Sequence, residues 1–269
     1  RFSSSFPDEW VSVYMGGQYY LPGDPAYKKE VPWTDKRVRQ ALNIAVNRDE
    51  LLKTVFAGRA TLAVVSAFTP QSEGWSPKFE SRFRELYAYN PEKAKQLLKE
   101  AGYGPGKLNL KLWAFSEPGE SEGPAIADAL AIYFRNVGIN AEVEVLDYAK
   151  IRAAFRKKEI HCCLYPNIIG WRPSEQAVRG AWHSKGTTHA YVHPFIEKTF
   201  DTLTNTVDQQ KRNQLLESIG THLQEEFADI PLFWFANEVF ANPKVVGSWT
   251  YPGIAAGRST HFELIKPVE

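Results

Sequence analysis

Sulfur is scarce in this chain: Cys162, Cys163 and Met15 are the only cysteines and methionine among 269 residues. The two cysteines are adjacent, and neighbouring side chains on a strand point to opposite faces. A disulfide between them is therefore not expected, and both read as small buried groups. Apolar runs are short as well. None approaches the roughly 18 residues that a membrane span needs. No secretory leader pattern is visible, and the opening Arg1-Phe2-Ser3 reads as a processing boundary. An excess of charge of one sign is also lacking. The 32 basic and 31 acidic residues leave a formal charge of +1, which gives no electrostatic case for a nucleic-acid or anionic-membrane partner.

Recognisable catalytic and metal motifs are missing too. The nearest string to a serine-hydrolase elbow, Gly257-Arg258-Ser259-Thr260-His261, lacks the final glycine. No His-Glu-x-x-His pair occurs. His189 and His193 stand four apart, but Pro194 follows at once, and the residue before proline avoids the helical region. Gly102-Tyr103-Gly104-Pro105-Gly106-Lys107 has the look of a phosphate loop, yet a strand pattern follows where a helix is required. No metal or cofactor is expected. Triads can assemble from distant positions, so these absences lower the case for an enzyme without closing it.

Aromatic residues, by contrast, are plentiful: 8 Trp, 12 Tyr and 16 Phe. They offer large contact area with few rotors, which suits cores and ligand clefts alike. A strand is predicted from Trp10 to Met15, followed by a proline-rich crossing segment. A helix begins at Thr34 or Asp35 and carries Val38, Ala41, Leu42 and Ala45 at helical spacing. Asn47 interrupts it, and a second helix runs to Gly58. Residues 59–89 read as irregular. Asn90 caps the next helix, with Pro91 at its first position. Alternation predicts strands around Leu108–Leu112 and Ala141–Val145, and a third from Ile160 to Tyr165 that Pro166 ends. Helices fall at Pro124–Val137, after Asp147, at Pro194–Asn205 and after Asp208. A last apolar stretch runs from Ile230 to Phe240. Alternating strands and helices argue an α/β layer.

The order of segments resembles a known family. The block Asp35-Lys36-Arg37-Val38-Arg39-Gln40-Ala41-Leu42-Asn43-Ile44-Ala45-Val46-Asn47-Arg48-Asp49 is very similar to the most recognisable block of the family 5 extracellular solute-binding proteins. Tyr89 to Leu98 with Ala101-Gly102-Tyr103, Phe134 to Ile139, Tyr191 to Pro194, Ile230 to Phe233 and Asn242 to Gly247 continue the likeness in order. Phe134 departs from it, because leucine is commoner there.

The resemblance implies an α/β, type II periplasmic-binding-protein-like lobe: a mixed sheet flanked by helices, with incomplete segments of a second lobe. Residues 1–33 would belong to the first lobe and hinge, 34–238 to the C-terminal lobe, and 239–269 to a return segment. It implies the substrate-binding component of an ABC import system, capturing a peptide, oligosaccharide or similar small solute by lobe closure. The implied partners are that solute, a membrane ABC permease and a missing N-terminal half. The implied location is periplasmic or extracellular, with a lipoprotein anchor outside this chain. A ligand-sensing module of the same fold and a hydrolase stand as rival readings.

The site is expected at strand ends and helix N-termini. The first candidates are Asn167, Gly170, Trp171 and Arg172, in the loop after the third strand. Peptide-binding members carry acidic residues after a Gly-Trp pair. Here Arg172-Pro173-Ser174-Glu175 follows, so the usual aspartate is absent and free-amine recognition is in doubt. Trp171 offers a stacking face and Arg172 a partner for a carboxylate. Trp113, Phe115, Trp75 and Trp182 complete the candidate set.

Overall fold

A computed structural model describes residues 2–115, 122–161, 163–249 and 262–268. Strand β1 (Phe2–Met15) shows how the sheet arises. Trp10 and Tyr14 fall on one face; Val11, Val13 and Met15 fall on the other, and all five are buried. A strand covered on both sides needs apolar residues at every position rather than every second one.

After a 3-10 turn at Pro32–Thr34 come α1 (Lys36–Ile44) and α2 (Arg48–Thr54). Asp35 and Asn47 cap them, each accepting a backbone N–H of the first turn. Next follow β2 (Ala60–Leu62), α3 (Lys78–Leu86), α4 (Pro91–Glu100), β3 (Asn109–Ala114), α5 (Glu122–Asn136), β4 (Asn140–Val145) and α6 (Tyr148–Arg156). The chain continues with β5 (Cys163–Gly170), α7 (Ser174–Trp182), α8 (Pro194–Thr204), α9 (Gln209–Glu225), β6 (Ile230–Phe240), β7 (Val246–Ser248) and β8 (Lys266–Pro267).

Six strands form one mixed sheet in the order β2-β6-β1-β5-β3-β4. β1 runs antiparallel to both neighbours, while β3 is parallel to β4 and β5. Helices α1, α2, α4 and α5 cover one face, over Val11, Val13, Leu112 and Phe233. The other face, built on Trp10, Tyr14, Tyr165 and Trp234, is covered from α6 through α9 and by Phe79 of α3. The expected mixed sheet flanked by helices is therefore present. Because β1 is central, the division drawn at residues 33 and 34 passes through this sheet.

Several local expectations are corrected. Residues 59–89 contain β2 and α3. The first is three residues long, and the second has only Phe79 and Phe83 buried and no side-chain cap, so neither leaves a strong pattern. Pro166 does not end β5. Beyond Leu164 the strand pairs with β1 alone, so its missing N–H is not required by β3. Helix α7 was not anticipated. The turn from α4 to β3 is as expected, with Gly102 at φ 92° and Gly106 at φ 74°. Cys163 is buried on the aromatic face, and Cys162 lies outside the described residues.

The recognisable 35–49 block turns out to be structural. Arg39 donates to the carbonyls of Trp33 and Glu226, at 3.0 and 2.7 Å, and to the Glu226 carboxylate at 2.9 Å. Asn43 donates to the Asp229 carbonyl at 3.0 Å. Arg48 donates to the carbonyls of Asn43 and Pro231, at 3.0 and 2.9 Å. These buried bonds fasten α1 and α2 to the junction between α9 and β6, where unpaired carbonyls would be costly.

Candidate functional site

A cavity of about 290 Å³ opens where β5 ends. Trp10 and Tyr14 of β1 and Tyr165, Asn167 and Gly170 of β5 form its floor. Tyr148, Ile151, Arg152 and Phe155 of α6 form one wall, and Ala177, Gly180 and Ala181 of α7 another. The α6 residues fall at i, i+3, i+4 and i+7, which places them on one face. Asp147 accepts the Ala149 N–H at 2.8 Å and so fixes where that face begins. Arg172, from the connection between β5 and α7, closes the rim. Its Nη1 lies 4.0 Å from the point where a Gly180 Cβ would stand.

Trp10, Tyr14 and Tyr165 of the floor are buried, while Asn167 and Gly170 are half-buried. Burial raises the Tyr14 phenol well above its usual range, and the Asp229 charge adds to this; Asn167 and Arg172 oppose it. Asn167 is near enough to influence that hydroxyl but not in hydrogen-bonding geometry with it. Tyr14 therefore stays protonated and able to donate. Arg152 and Arg172 are exposed, and among the described residues neither has an ion pair. The aromatic floor supplies dispersion and stacking, and the rim supplies positive charge.

The sequence candidates are distributed unevenly. Asn167, Gly170 and Arg172 line the cavity, although Asn167 and Gly170 lie within β5 rather than in a loop after it. Trp171 is half-buried beside the aromatic cluster and does not line the cavity. Phe115 is only 3% exposed and stands one layer back, with ring centroids 4.8 Å from Tyr148 and 5.9 Å from Tyr165. Trp113 turns toward β4, where its indole donates to Glu144 at 3.1 Å. Trp182, at the end of α7, is 0% exposed against Trp10 and Tyr14, so it offers a solute no surface. Trp75 faces a separate apolar groove with Phe68 and Trp234. Trp10 and Trp234, whose ring centroids are 5.8 Å apart at a tilt of 35°, lie between groove and cavity.

Sequence reasoning missed Tyr148 and Arg152. Their i, i+4 spacing after the Asp147 cap was the available signal. The two histidines four apart do not share a helix: His189 contacts the carbonyls of Phe155 and Ser184, while His193 caps α8. No cluster of three or more potential metal ligands occurs among the described residues, and no helix among them is long and apolar enough to cross a membrane.

Over 235 residues the chain is 34% identical to the glutathione-binding protein GsiB of Salmonella choleraesuis, and 28% identical to that of Pectobacterium atrosepticum. Each alignment takes in 82% of this chain and 43% of the relative, so the chain spans less than half the length of these relatives. Among solved structures, the periplasmic binding protein DppA from Helicobacter pylori in complex with peptide STSA superposes with a TM-score of 0.76 at 19% identity. That superposition covers 99% of this chain and 48% of the other. NikA from Staphylococcus aureus in complex with Ni(L-His)2 gives a TM-score of 0.76 at 20% identity, covering 94% and 50%. These two likenesses concern the fold. Residues 12–189 match the middle region of the bacterial extracellular solute-binding proteins, family 5, and the chain belongs to that family.

Proposed function

We propose that the protein is the substrate-binding component of an ABC import system, capturing a peptide or similar small solute between this lobe and a second one. The observation that carries the reading is the cavity at the end of β5, walled by two helices and floored by aromatic residues, in a chain of this family. At about 290 Å³ it falls just below the usual range for ligand pockets, about 300–1,000 Å³, which suits a lobe that holds only part of its solute. The relatives' names support peptide-like solutes: glutathione for one group and a tetrapeptide for a structural neighbour.

In this reading Asn167, Arg172, Tyr148 and Arg152 contact the solute directly, and Trp171 flanks the entrance. β1 and β6 pair from Val13 with Ile230 out to Phe2 with Phe240, with register shifts between Ser4 and Pro7 and between Pro7 and Glu9. Such irregularities bend a ribbon, and this pair is our candidate for the hinge. Closure would present a surface for a membrane permease, in a periplasmic or extracellular setting with a lipid anchor as the retaining device. No residue is assigned a catalytic role.

The test is native mass spectrometry of the protein expressed from its native gene, followed by calorimetry with the released solute. A bound solute returned with unchanged mass is the expected result. Chemical conversion of the solute, or no binding by calorimetry, would overturn the proposal.

A further inference from the structure

Arg152 and Arg172 stand on two different elements, α6 and the β5–α7 connection, yet both border the one cavity. Among the described residues they are its only charged lining residues, and no carboxylate lines it. Acidic side chains on the surrounding elements are engaged elsewhere, and Asp229, whose charge reaches Tyr14, is buried and accepts from Ser12. Glu175 pairs with Arg212, and Asp147 caps α6. Arginine presents a planar fork of donors that matches a carboxylate. An ammonium group placed in the same cavity would meet two cations and, among the described lining residues, no anion.

We infer that this lobe selects its solute by a carboxylate, held between Arg152 and Arg172. The inference rests on the solute-capture reading above and specifies the chemistry of that site. It assigns Arg152, which the sequence did not single out, a part in specificity. It also reverses the polarity implied by the resemblance, in which an acidic residue of this region meets a solute's amine.

The alternative occupation of these arginines is an ion pair with the other lobe upon closure, and an experiment on the solute separates the two. Glutathione, trialanine and a tetrapeptide, each as the free acid and as the C-terminal amide or ester, are titrated calorimetrically into the protein expressed from its native gene. The same titrations are run on the Arg152→Gln/Arg172→Gln variant. Both side chains are exposed and without an ion pair among the described residues, so the variant is expected to keep its unliganded melting temperature.

The expected result is free acids binding at least tenfold tighter than their neutral forms, with that ratio falling to near one in the variant. Equal binding of acid and neutral forms by the unsubstituted protein would overturn the carboxylate inference and leave solute capture standing. So would a ratio that survives the double substitution. Binding of none of these probes, together with no co-purified solute, would overturn both.

Discussion

Asp229 and His222 respond to acid in opposite senses over one pH window. Burial raises the Asp229 carboxyl to about 6, against which hydrogen bonds from Ser66 and Ser12 and the charge of Arg48 work only in part. Its folded value lies above its unfolded one, so its contribution is complete below about pH 4 and is lost as pH rises through 6. Burial lowers His222 to about 4, with His193 adding to the effect. Its contribution is complete above about pH 6.5 and is lost as pH falls through 4. The two trends offset each other. Asp229→Asn is therefore expected to be the more stable form near neutrality, by on the order of 2–3 kcal/mol, and to lose stability steadily on acidification from pH 6.5 to 4. His222→Gln should do the reverse, gaining stability as pH falls through that range. Urea denaturation at half-unit pH steps measures both slopes, and parallel profiles for the two variants would refute the assignment.

Arg48 makes a second prediction at this scale. Burial pulls its guanidinium down to about 10, which leaves it charged at neutral pH. Arg48→Met keeps most of the apolar stem but leaves the Asn43 and Pro231 carbonyls unpaired. A loss of about 2–4 kcal/mol is expected in the same assay.

At the scale of elements, α9 meets α3 through Gly220. A Cβ there would stand 2.6 Å from Cζ of Phe79, a ring that is itself fully buried. Alanine raises helix propensity by about 1 kcal/mol, while overpacking costs about 1–3 kcal/mol. Gly220→Ala should therefore be neutral to destabilising by up to about 2 kcal/mol. Phe79→Leu in that background should recover part of any loss, as thermal unfolding would show. Elements with strong local signals were legible in the sequence: Asn90-Pro91 opens α4, Asp147 opens α6 and Asp208 opens α9, each cap accepting a backbone N–H. Helix α7 escaped notice because Pro173 gives it no side-chain cap. Strand β5 was cut short because Pro166 reads as a terminator until its neighbours are known.

For the molecule as a whole, capture of a solute predicts linkage. A solute at about a hundred times its Kd should raise the stability of the protein by about 2.7 kcal/mol, visible as a higher melting temperature. Trp171→Ala should weaken solute binding by about 1–3 kcal/mol if Trp171 flanks the bound molecule. Unchanged affinity in calorimetry would remove Trp171 from the site.

By itself the sequence determined the layer: strand and helix periods, caps and turn glycines are local signals, and the order of segments carried the family likeness. Asn167 and Arg172, which it pointed to at the end of the third strand, line the cavity. Only the tertiary structure decided which aromatic residues border the cavity and which are covered. Trp10, Tyr14 and Trp182 are indistinguishable from surface aromatics until the sheet and α7 close over them. Arg152 and Arg172 become one site only when α6 and β5 are laid side by side. Periodicity says which face of an element is apolar, but which charges meet across a cavity depends on contacts between residues far apart in the chain.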